Sequence, residues 1–104
     1  MSTSLNFIEF VTDQLSDYSD ISYRKMFGEY CIYYCNMLAF LVCDDTVFVK
    51  KLPVLDDLSL DSGMPYEQSK EHYIVNADNR DELNTVLQRM IPYLKPAAKR
   101  RKRD

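Results

Sequence analysis

Two hydrophobic periods divide the chain. Leu5, Ile8, Val11, Thr12 and Leu15 return every three or four residues, the spacing that turns one helical face toward a core. Asn6 and Glu9 have capping-box spacing, and Leu5 with Phe10 would staple the start. A first helix is therefore expected to begin at Asn6 and to stop in the polar, turn-prone residues 17–20. From residue 21 to residue 50 the period shortens. Runs rich in Tyr, Phe, Val and Ile are broken at Gly28-Glu29, Cys35-Asn36 and Asp44-Asp45-Thr46. They predict strands over 21–26, 30–34, 38–43 and 46–50. Such short connections join antiparallel neighbours.

Pro53 followed by Val54, Leu55, Leu58 and Leu60 predicts a short helix ending before Gly63. Residues 64–66 and 71–75 read as extended. The stripe Leu83, Val86, Leu87, Met90, Ile91 and Leu94 predicts a final helix. Asp78 or Asn79 caps it, Glu82 stands three residues after Asn79, and Pro92 kinks or ends it. The order is helix, four strands, short helix, one or two strands, helix. It predicts an α+β two-layer domain: an antiparallel β-meander sheet with the N- and C-terminal helices on one face. Residues 1–95 form that domain, and residues 96–104 are expected to be a basic, disordered tail.

Composition narrows the class. The 104 residues suit one domain, and 46% hydrophobic with 12% aromatic residues suits a folded core. The densest apolar run, Met37 to Cys43, is too short to span a bilayer. Met1 to Ser4 lack the basic-then-apolar pattern of a secretory leader, so a cytoplasmic protein without membrane contact is expected. The net charge of −3 is uneven. Residues 99–104 hold five basic residues and one acid; residues 1–98 hold eight and fifteen, a net −7. An acidic body with a basic end is unlike a dedicated nucleic-acid-binding domain.

Cys31, Cys35 and Cys43 are odd in number and lack a paired C-x-x-C. They are expected to be reduced small hydrophobes that bind no metal. His72, the single histidine, is expected to be a satisfied strand residue, since no spacing sets it beside a thiol. No cofactor is expected.

Arg24-Lys25-Met26-Phe27-Gly28, followed by Tyr30 and Tyr33, Phe40, Val47-Phe48-Val49-Lys50, Gly63 to Tyr66 and Tyr73-Ile74-Val75, resembles the N-terminal domain of the TfoX/Sxy competence-regulator family. The likeness runs over roughly residues 5–94. Glu29 and Cys31 stand where glycines are common in that family, and Asn76 where proline is often found. Longer members add a C-terminal domain, in place of which this chain has its short tail, so a stand-alone domain is expected. The resemblance implies a regulatory or protein-interaction module, not an enzyme, linked to regulation of competence for DNA transformation. Arg24, Met26, Phe27, Gly28, Tyr30, Tyr33, Phe40, Lys50 and Tyr73 are its motif residues and candidate interaction positions.

Arg24 and Lys50 have two readings: stems packed on the sheet with charges paired to acids such as Glu29 or Asp44, or a shared anion- or partner-binding role. The second function reading is an auxiliary nucleic-acid-binding protein contacting its ligand through Lys99, Arg100, Arg101, Lys102 and Arg103. The expected partners are an unidentified protein and a second copy of the chain. That homodimer would form through an uncovered sheet face, with Tyr33 or Tyr34 exposed beside Phe48.

Overall fold

The computed structural model describes residues 4–26 and 29–94. Helix α1 spans Leu5–Gln14. Strands β1 to β4 follow at Ile21–Met26, Glu29–Tyr34, Met37–Cys43 and Thr46–Val49. After a 3-10 helix at Pro53–Leu58 come β5 (Asp61–Gly63), β6 (His72–Val75) and helix α2 (Arg80–Met90), closed by a 3-10 turn at Ile91–Tyr93. The six strands make one antiparallel sheet in the order β1-β2-β3-β4-β6-β5. This is the expected two-layer α+β architecture, with β1 to β4 within one residue of their expected ends.

Two local expectations are corrected. The cap of α1 is Ser4, whose Oγ accepts from the Phe7 amide at 3.1 Å. The Ser4 amide donates to Asp45 Oδ1 at 3.2 Å, which ties the helix start to the β3–β4 turn and leaves Asn6 inside the first turn. Leu5 and Phe10, the expected staple, are exposed. The fifth strand lies at Asp61–Gly63 instead of 64–66. Gly63 pairs with His72, and a Cβ there would meet Ile74 Cδ1 at 3.0 Å. A side chain there would have to push the end of Ile74 aside by a few tenths of an ångström. Asn79 is the cap of α2, its Oδ1 accepting from the Glu82 amide.

The β2–β3 and β3–β4 connections are two-residue turns with both residues left-handed: φ 51° and 63° at Cys35 and Asn36, 52° and 55° at Asp44 and Asp45. That is the type I′ pattern whose twist matches the strands it joins. The first turn sets β2 against β3 with Tyr34 opposite Met37, and a bulge after Ile32 shifts the register by one residue.

Side-chain alternation then sorts the sheet. Tyr30, Ile32, Val42, Val47, Val49 and Val75 face the helices. Ile8, Val11 and Leu15 of α1 pack on them, with Leu83, Val86, Leu87 and Met90 of α2, all fully or nearly fully buried. A polar clasp also joins the helices. Asn84 Nδ2 donates to Gln14 O, Gln14 Nε2 to Ala77 O, and Arg80 to Asp13 O and the Asp17 carboxylate. Arg80 therefore sits against the carbonyl end of α1, where a cation is favoured.

Cysteine is a poor occupant of a left-handed position, and neither turn contains glycine. Replacing Cys35-Asn36 with Asn-Gly should stabilise the fold by about 1 kcal/mol, or ~4–8 °C in Tm. A thermal melt that moves down would contradict the turn assignment.

Candidate interaction site at the β1 edge

β1 is the first strand in the sheet order and, among the described residues, is bonded to β2 alone. Residues 22–26 are all exposed. On its outer face, away from the helices, Arg24 lies opposite Cys31 of β2 and Ser22 opposite Tyr33. The Arg24 guanidinium sits 5.8 Å from the centre of the Tyr33 ring, a cation–π placement that holds the charge over the sheet. Cys31 and Tyr33 share a side-chain hydrogen bond, and burial pushes both the thiol and the phenol up, against the pull of Arg24. On the other face Tyr23 packs edge-on against Tyr30 at 5.6 Å while staying 40% exposed; Met26, on the Arg24 side, is equally exposed.

The expected motif residues therefore divide. Arg24, Met26 and Tyr33 gather at this edge. Tyr30 and Phe40 are buried on the helix side and support the core. Tyr73 is fastened by its hydroxyl, which donates to Asp56, with the Lys51 ammonium 5.0 Å from its ring. Lys50, just after β4, lines an apolar cavity of about 400 Å³ with Leu38, Leu41, Leu52, His72 and Tyr93. Three strand spacings, roughly 14 Å, separate β1 from β4, so Arg24 and Lys50 do not form one shared site. Lys51–Glu71, Arg80–Asp17 and Arg89–Asp57 are ion pairs between described residues, and Arg24 lies over the Tyr33 ring. Phe27, Gly28 and Lys99 to Arg103 lie outside the described residues.

The expected dimer face is also corrected. Phe48 is buried, flanked across the sheet by Leu41 and Ile74. Tyr34 turns to the helix side against Tyr18 at 5.5 Å, and Tyr33 is half-buried beside Arg24. The outer face covers Phe48 but leaves Leu38, opposite Tyr33, exposed. Tyr23 was not among the sequence candidates. The signal for it was the place of β1 as first strand of a meander, which makes it an edge.

The family departures have local uses. Glu29 Oε1 accepts from the Asp44 amide, linking β2 to the β3–β4 turn. The Asn76 amide, which proline would lack, donates to Glu82 Oε2, and its Oδ1 accepts from the Asp78 amide.

The thiols and the histidine do not meet. Cys43 and His72 lie at opposite ends of their strands, four residue steps or ~13 Å apart along the sheet. His72 Nδ1 is 2.8 Å from Lys70 O, which fixes it as the donor. Among the described residues no three His, Cys, Asp or Glu side chains gather as a metal site. A cleft of about 460 Å³ at the start of α2 is ringed by Asp45, Asp61, Asp78 and Glu82. Two of these carboxylates already bind backbone amides.

Two expectations follow from the thiols. Cys35 is exposed, whereas Cys31 and Cys43 are buried, and burial, with Glu29 second, pushes Cys43 up to about 11. A thiol reagent at pH 8 should modify one cysteine of native protein quickly and the other two at least tenfold more slowly; mass spectrometry showing three equal rates would refute the burial. Thiols are neutral when protonated, so a raised folded pKa gives stability that is complete below the ordinary thiol value and lost as pH rises toward 11. Denaturant midpoints should fall between pH 9 and 11, and Cys43→Val should flatten that fall; an unchanged slope would count against it.

No curated protein sequence matches the chain. The family model of the TfoX N-terminal domain matches residues 13–92, a span running from the end of α1 through the sheet and α2 to the closing turn. With about three-quarters of its length in that match, the chain belongs to the TfoX N-terminal domain family.

Proposed function

We propose that this chain is a regulatory protein-interaction module that acts in the control of competence for DNA transformation and catalyses no reaction. The observation that carries the reading is the Arg24–Tyr33 pair on an exposed edge strand of a TfoX N-terminal domain. A guanidinium held over a half-buried ring loses little freedom on binding, as an interface anchor requires. The separation of thiols from histidine supports a non-catalytic role. No described helix is long and apolar enough to cross a membrane, in keeping with a cytoplasmic site of action. The module acts as a homodimer and on a protein partner.

The second reading, nucleic-acid contact, rests on the charge run at 99–103. One experiment separates the two. In the native host, Arg24→Ala with Tyr33→Ala should lower transformation frequency and competence-gene transcripts at least tenfold at unchanged protein abundance. Unchanged transformation would defeat the interaction reading. Loss on deleting residues 95–104, with the double variant unaffected, would put nucleic-acid contact in its place.

A further inference from the structure

We infer that β1 is the dimer interface: two copies pair antiparallel through their β1 edges, centred on Tyr23, to make one continuous sheet. The inference rests on the dimeric part of the reading above and states where the copies meet.

The backbone selects the residues. The Cys35 amide donates to Asp20 O at 3.0 Å, and positions 20 and 35 continue the β1–β2 register of Ile21 with Tyr34. In an antiparallel ladder, hydrogen-bonded pairs alternate with pairs whose groups point away. Ser22, Arg24 and Met26 therefore spend their N–H and C=O groups on β2, and those of Ile21, Tyr23 and Lys25 point outward. A second strand can bond only to these three.

Symmetry selects the register. A two-fold axis through a continuous sheet keeps each face on its own side, so facing positions must share parity. Pairing Tyr23 with Tyr23 satisfies this and sets Ile21 against Lys25 of the second copy, twice, for about six new backbone hydrogen bonds. It also sets Ser22 opposite Arg24 of the second copy. A slip of two residues either sets Arg24 against Arg24 or shortens the ladder.

Charge selects the partner. The chain from Asp20 to Lys25 begins acidic and ends basic. Antiparallel pairing brings Asp20 of each copy beside the Arg24–Lys25 end of the other. The edge strand itself carries two cations and no acid, so the Asp20 side chains supply the opposite charge across the seam. The two Arg24 fall on a diagonal roughly 7–8 Å apart, each held over its own Tyr33. One strand pair is a small interface, so the dimer belongs to the weak class.

Light scattering from about 5 to 500 µM tests it, against the 12.3 kDa of one chain. The mass should approach two chains as concentration rises. Ser22→Arg, which sets cation against cation twice per dimer, should raise the dissociation constant at least tenfold; Ser22→Glu should lower it. Both keep the β1–β2 bonds, and unchanged melts would confirm folding. In a Cys35→Ser background, Tyr23→Cys should form a disulfide-linked dimer under mild oxidation, because facing bonded positions lie about 5.5 Å apart. Met26→Cys, opposite Asp20, should not. A two-chain mass without the Tyr23→Cys cross-link overturns the edge pairing and leaves a dimer elsewhere. A one-chain mass throughout overturns both.

Discussion

The parity of the β2 ladder governs the rest of the domain. The Cys35-Asn36 turn sets Tyr34 opposite Met37, which sends the backbone groups of Tyr34 toward β3 and those of Tyr33 and Cys35 toward β1. The same two-residue period sends Tyr30, Ile32 and Tyr34 to the helices, and Cys31 and Tyr33 to the other face. A shift of one residue would exchange those sets, placing Arg24 and its partners against the helix layer. Core, outer face and free edge are thus three consequences of one register.

The helix layer enforces that register. Ile8, Val11, Leu15, Leu83 and Leu87 are fully buried against the Tyr30–Ile32 side of the sheet. They close over it only if β2 and β3 present their apolar alternation there. The clasp of Asn84, Gln14 and Arg80 sets the helices relative to each other. Asp45 ties α1 to the β3–β4 turn. Arg89, bonded to Val54 O and Asp57, ties α2 to the 3-10 helix. The hydrogen bond that its guanidinium donates holds the Asp57 carboxyl below the usual carboxylate range. Each tie joins elements far apart in sequence.

Elements carried by periodicity were legible in the chain: the strands over 21–50, the stripe of α2 and its Asn79 cap all follow from spacing. Features set by long-range contact were not. Ser4 displaces Asn6 as cap because a residue 41 positions away holds its amide. Asp61-Ser62-Gly63 has little strand propensity and becomes a strand because β6 offers an unpaired edge. The motif pattern mixed two kinds of position. Tyr30 and Phe40 serve the core, Arg24 and Tyr33 the surface, and only the sheet order separates them. Phe48 looked available on an open face, yet its cross-strand neighbours bury it.

Both the register and the dimer turn on which β1 amides face outward and on what a second copy does to them. Residue-resolved hydrogen exchange reads both at once. At low micromolar concentration the amides of Ser22, Arg24 and Met26 should be protected and those of Ile21, Tyr23 and Lys25 should exchange quickly. As concentration rises toward ~500 µM, the outward three should gain protection together. The opposite alternation would contradict the register from which core, face and edge are derived, and alternation that never fills in would contradict pairing at this edge.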